Sequence, residues 1–283
     1  MKILAVGDFD GKFPKKYLDI IKNEKIDVVV SDGDYPPFTL KEEFFAFVYG
    51  NPFLDLEDVV GKKKFKEITI KDDLEGESVM KKLNSLSIPV LSVLGNHDYH
   101  LPDDCTDFKL EENSKFKQER LTHLAKVIEK YKNIQRIDYS YAKIGEFIFI
   151  GARGHSFPGD VKSKAYKKHR NILEKLFKKF EKENKQGKVI FVSHNSPYNT
   201  KLDLISAKEA HADVKGKHYG SKMFRRILDK YQPIISISGH IDESWGKQKL
   251  GKTLAVNCGA VHDGRGAVIN IGDNWKVDVK FIQ

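Results

Sequence analysis

Five short apolar runs, at residues 3–6, 28–30, 90–94, 189–192 and 234–237, constrain this chain more than any other feature. Each is rich in Val, Ile and Leu and too short for a buried helix, so each reads as a strand covered on both faces, the signature of a parallel α/β sheet. Polar clusters follow or end these runs: Gly7-Asp8-Phe9-Asp10, Asp32-Gly33-Asp34, Gly95-Asn96-His97-Asp98 and Gly239-His240-Ile241-Asp242, with His194 after the fourth run. A glycine lets the backbone turn, and an oxygen or imidazole donor follows at the carboxyl end of the strand, where open α/β sheets place their ligands. Five such ends predict one pocket that holds metal.

The chain has 283 residues and 40% hydrophobic content, enough for one large core, and residues 1–283 read as a single domain. No apolar stretch approaches the roughly 20 residues that span a bilayer, and Met1-Lys2-Ile3-Leu4 runs straight into the first strand, so neither membrane nor cleavable signal is expected. Cys105 and Cys258 form no CxxC pair, which argues against a disulfide framework or a thiolate zinc site and for a reducing, cytoplasmic location. The balance of 49 Lys and Arg against 40 Asp and Glu gives +9, a charge that draws anionic partners. Much of the lysine alternates with Glu, as from Lys175 to Glu183, and reads as the solvated side of a helix.

Helical spacing is clear for Tyr17, Leu18, Ile20 and Ile21, for Leu121, Leu124, Val127 and Ile128, for 165–180, and for 222–231. Residues 36–77 break the pattern with Pro36-Pro37, the aromatics Phe44, Phe45, Phe47 and Tyr49, and Lys62-Lys63-Lys64. They read as an insertion near the site, with helix resuming at 78–86. Segments 137–141 and 147–150 predict a hairpin turning at Gly145. Segments 253–256, 266–271 and 275–282 alternate as antiparallel strands. The expectation is two sheets with helices outside.

Asp8 and Asp10 are two apart and face the same way on an extended strand exit. Asp34 has two oxygens to share between ions, Asn96 offers an amide oxygen, and His194, His240 and Asp242 add donors from later strand ends. Two divalent ions held by such a set clamp a phosphoryl oxygen and a hydroxide bridging the ions, so phosphate ester hydrolysis is the natural reaction. His97 then protonates the leaving oxygen, with Asp98 orienting its imidazole. Arg153 suits a fork-like grip on phosphate or a surface ion pair. Asp32 is either an acceptor behind the ligands or a turn residue; His100 and His155 are pocket or loop histidines, and Cys258 reads as buried structure.

The order Asp-x-Asp, Gly-Asp, Gly-Asn-His-Asp, His and Gly-His-x-Asp resembles that of the calcineurin-like metallophosphoesterases over essentially the whole chain. The resemblance implies a four-layer α-β-β-α sandwich of two mixed sheets flanked by helices, with two metal ions at the strand ends. It implies a first site of Asp8, Asp10, Asp34 and Asp242, a second of Asp34, Asn96, His194 and His240, and His97 as the acid. Lys217-His218-Tyr219-Gly220-Ser221 resembles a His-x-Gly-Ser stretch of a prokaryotic branch, so Asn96, His218 and Arg153 are the expected substrate contacts. Asp10 and Asp242 stand where the family carries His. An all-oxygen first site favours Mn²⁺, with Mg²⁺ or Fe as alternatives and Zn²⁺ less favoured. The expected substrate is a phosphorylated small molecule or nucleotide. A nuclease of the same fold, and a weakly catalytic scaffold that binds protein, are the alternatives.

Overall fold

The structure is a computed structural model and describes residues 1–51, 53–98, 123–155, 158–208 and 210–283. His100, Cys105 and Leu121 lie outside the described residues. The first sheet contains β1 (Lys2–Val6), β2 (Val28–Ser31), β3 (Val90–Ser92), β4 (Ile134–Arg136), β11 (Gly266–Ile271) and β12 (Val277–Ile282). The second contains β5 (Tyr141–Ile144), β6 (Phe147–Ala152), β7 (Val189–Asn195), β8 (Ile235–Gly239), β9 (Gly246–Leu250) and β10 (Thr253–Asn257). Their orders are β12-β11-β1-β2-β3-β4 and β5-β6-β7-β8-β10-β9. The first is parallel from β1 to β4 with β11 and β12 antiparallel, and the second is parallel from β6 to β10 with antiparallel β5 and β9 at its edges, so the carboxyl ends of β1, β2 and β3 lie together, as do those of β6, β7 and β8.

The period of two decides which layer each side chain joins. Ile3, Ala5, Val28 and Val30 point between the sheets and meet Phe149, Ile190, Val192 and Ile237. Leu4, Val6 and Val29 point outward against Tyr17 of the helix Lys15–Glu24 and Met80 and Leu83 of the helix Lys62–Asn84. On the far side, Ile148, Ile150 and Phe191 meet Leu173 and Phe177 of the helix Lys164–Lys179 and Phe224 and Leu228 of the helix Lys222–Tyr231. The result is the expected four layers. Among the described residues, no helix is long and apolar enough to cross a membrane.

Several local expectations change. The helix expected from 78 begins at Lys62, because Thr69, Asp73 and Gly76 continue its buried face without an apolar stripe. The hairpin strand begins at Tyr141 rather than 137, since Ile134–Arg136 still belongs to the first sheet. The strand Thr253–Asn257 joins the second sheet, parallel to β8 and antiparallel to β9, while β11 and β12 return to the first.

Candidate metal centre

The exits of β1, β2, β3 and β8 are laced together by short hydrogen bonds. The N–H of Asp8 donates to the Gly33 carbonyl at 2.9 Å and that of Phe9 to the Asp34 carbonyl at 2.8 Å. The His97 N–H reaches Asp34 Oδ1 at 2.7 Å, and the His240 N–H reaches Asp8 Oδ2 at 3.0 Å. Asp8, Asp10, Asp34 and His240 all hold positive φ, at 49°, 49°, 54° and 74°. Left-handed backbone costs energy at residues other than glycine, and its concentration in one group of strand exits marks a site held in place by its surroundings. Gly33, at φ +104°, is required, because a Cβ there would lie 2.1 Å from the Gly95 nitrogen.

Four donors meet at His194. Its Nδ1 lies 2.9 Å from the Asp32 carbonyl oxygen, which only accepts, so the proton sits on Nδ1. In the neutral ring Nε2 is then a lone pair, yet it lies 2.8 Å from Asn96 Oδ1, 3.1 Å from His240 Nδ1 and 3.3 Å from Asp34 Oδ2. Lone pairs facing one another repel unless a proton or a cation lies between them. Burial works against an imidazolium, but Asp34, Asp8 and Asp32 outweigh it and push His194 up to about 10. His240, buried and facing His194, is driven well below the usual histidine range. The donor set therefore fits a divalent cation, and ligand atoms of Asp8, Asp34 and His194 lie within 4.8 Å of one another.

The carboxylates around this point differ in environment. Burial raises Asp34, but His194 and His97 more than reverse this and hold it well below the ordinary carboxylate range. Burial and then the charge of Asp242 drive Asp8 well above that range. Asp242 rises to about 6, chiefly through burial. Asp10 is partly exposed, and its carboxylate makes no hydrogen bond or ion pair among the described residues.

Other expected residues take places that their sequence positions did not disclose. Asp98 is 1% exposed, and its oxygens accept the N–H groups of Asp34 at 2.8 Å, Tyr35 at 2.9 Å and Gly95 at 2.7 Å. It clamps the β2 and β3 exits to each other, which replaces the imidazole-orienting task expected from its adjacency to His97. The His97 ring instead packs on Phe38, centroids 4.8 Å apart. Arg153, expected to grip phosphate, is 5% exposed and lends its charge to buried Asp138. His155 is buried against the hydroxyl of Ser221, and Ser221 also caps the helix Lys222–Tyr231. His218 is oriented by buried Asp203, Nδ1 to Oδ1 2.8 Å.

Asp32 resolves as an acceptor behind the ligands: its carbonyl takes the His194 proton, and its carboxylate accepts from the thiol of buried Cys258 at 3.1 Å. Asp203 and His262 are absent from the expected set; His262 follows Gly259 at the end of the strand Thr253–Asn257, a signal of the same kind as the others, whereas Asp203 sits in a loop without one. A Cβ on Gly7 would fall 1.3 Å from Asp32 Oδ1. We therefore expect Gly7→Ala to lower the unfolding free energy by about 3 kcal/mol in urea titrations, as for other overpacked cores. Gly272→Ala, whose nearest neighbour would be 3.5 Å away, is expected to lose less than about 1 kcal/mol. Equal losses would contradict the close packing of Asp32.

A family model described as calcineurin-like phosphoesterase matches residues 1–243. A search of curated proteins found no match. One crystal structure, 20% identical, covers 100% of this chain and 99% of its own with a TM-score of 0.66. The structure of TT1561 from Thermus thermophilus is 13% identical, with coverage of 99% and 97% and a TM-score of 0.52. At those identities the overlays speak for the fold, whereas the family match spans most of the chain. Together with the donor set around His194, that match places this protein in the calcineurin-like phosphoesterase family, the metal-dependent hydrolases of phosphoesters.

Proposed function

We propose that this chain hydrolyses a phosphomonoester or small phosphodiester whose leaving alcohol carries a planar ring, a nucleotide above all, and that it uses two divalent ions, Mn²⁺ foremost. The observation that carries the reading is the convergence of Asp34, Asn96 and His240 on the Nε2 of His194. Bound ions neutralise the phosphate and lower the pKa of the attacking water. Asp34 is the carboxylate common to both halves, with Asp8, Asp10 and Asp242 on one side and Asn96, His194 and His240 on the other. His97 shares a loop with Asn96, is tied to Asp34 through its N–H, and donates the proton that the departing oxygen needs.

Beside His97 the rings of Phe38, Phe44 and Tyr49 follow one another at centroid separations of 5.6 and 6.1 Å, and Tyr49 meets the hydroxyl of Tyr219 at 3.0 Å. None of these rings is buried in the core, and Phe44 lies in a π-helical turn, Phe44–Val48, a geometry frequent at functional sites. The planar base of a nucleoside, whose ribose oxygen departs next to His97, stacks on this wall.

The test reloads metal-stripped protein with Mn²⁺, Mg²⁺, Fe²⁺ or Zn²⁺ in turn and assays aryl phosphate mono- and diesters and nucleotides. Turnover is expected, highest with Mn²⁺; its absence with every ion overturns the reading. Phe38→Ala is expected to raise the KM for nucleotides roughly 10-fold, the scale of one lost stacking contact, and to leave that for glycerol phosphate unchanged. An equal rise for both substrates would remove the case for stacking.

A further inference from the structure

Asp10 and Asp242 leave the first half of the centre without an imidazole from the expected positions, yet the fold brings one there from elsewhere. His262 lies in the loop between β10 and β11, and its Nδ1 is 2.9 Å from the carbonyl oxygen of Asp8. That carbonyl only accepts, so the ring carries its proton on Nδ1 and turns the lone pair of Nε2 the other way. Nε2 faces Asp242 Oδ2 at 3.8 Å and Asp263 Oδ1 at 3.7 Å, both too long for hydrogen bonds. The other oxygen of Asp242 is buried with no hydrogen-bond partner. His194 is held in the same way, with Nδ1 on the Asp32 carbonyl and Nε2 toward acceptors. A backbone carbonyl on one ring nitrogen is the arrangement that fixes metal-binding imidazoles in the required tautomer.

We infer that His262 is a ligand of the first ion, supplying from the loop before β11 the imidazole that positions 10 and 242 do not provide. The inference rests on the two-ion reading above. Its chemical consequence is a site of carboxylates plus one nitrogen, which accepts Mn²⁺ and the borderline ions Fe²⁺ and Co²⁺ in preference to Mg²⁺. An imidazolium paired with Asp242 and Asp263 is the competing explanation, and it requires no metal.

The discriminating variant is His262→Asn, which keeps an N–H for the Asp8 carbonyl and removes Nε2. Equilibrium dialysis of metal-free full-length protein against Co²⁺, with visible absorption of the bound ion, reads stoichiometry, affinity and ligand type without any assay of turnover. Two ions per wild-type chain are expected. In His262→Asn one ion binds at least about 10-fold more weakly with a changed spectrum, while the other is unaffected. Two ions with unchanged affinity and spectrum overturn the role of His262 and leave the two-ion reading standing. One ion in both proteins overturns the two-ion reading and the inference together. Retention of the unaffected ion reports that the variant is folded, and His262→Ala, free of any replacement donor, is expected to repeat the loss.

Discussion

Asp34→Ala is expected to lower kcat/KM on the order of 1,000-fold, about 4 kcal/mol of transition-state stabilisation, and to reduce the number of ions bound. The size of the effect follows from how much one carboxylate holds. Asp34 Oδ2 faces His194 Nε2 at 3.3 Å, Oδ1 accepts the His97 N–H at 2.7 Å, and its backbone carbonyl accepts from Phe9 at 2.8 Å. The alanine variant keeps the carbonyl contact and loses both side-chain contacts, so donor set and acid loop are affected at once. The measurement is steady-state kinetics beside metal analysis and a thermal melt. A folded variant with activity within about 10-fold of wild type would refute the placement of Asp34 between the two halves.

His97→Ala is expected to lose activity in proportion to how badly the leaving oxygen needs a proton. Proton donation contributes about 100- to 10,000-fold, so esters of poor leaving groups such as alkyl alcohols lose on that scale. Esters of acidic phenols, which depart as anions, lose only a few-fold. Rates across a series of leaving groups give the answer: a uniform loss over the series would mean that His97 orients or packs and donates no proton. The loop that carries His97 is anchored at the site, since its backbone N–H donates to Asp34 Oδ1 at 2.7 Å and its ring lies on Phe38, centroids 4.8 Å apart. Metal content is expected to be unchanged in this variant, which separates it from Asp34→Ala.

Much of this arrangement was legible before folding. The strand runs declare themselves because the centre of each sheet is covered on both sides, which leaves no room for polar residues within Ile3 to Val6 or Val28 to Val30. Edge strands carry no such pressure. β9 alternates Lys247 and Lys249 with partly or fully buried neighbours, and β4 buries only Ile134, so neither stood out. The helix Lys62–Asn84 was half concealed for a related reason: up to residue 76 it buries only Thr69, Asp73 and Gly76, which periodicity of apolar residues does not register.

For the site, chemistry at a strand end is a local property, and Asp8, Asp34, Asn96, His194 and His240 could be named from glycine, donor type and order alone. The convergence of Asp34, Asn96 and His240 on the Nε2 of His194 depends on strand order across the two sheets. Tertiary structure alone assigned Asp98 to backbone amides, buried Arg153, placed Asp32 against Cys258 and set His262 beside Asp8. A sequence records which donors exist and on which strand exits they stand. Which acceptor each donor meets depends on close approach between segments as far apart as Asp8 and His262, and that distance is set only when both sheets close over a common core.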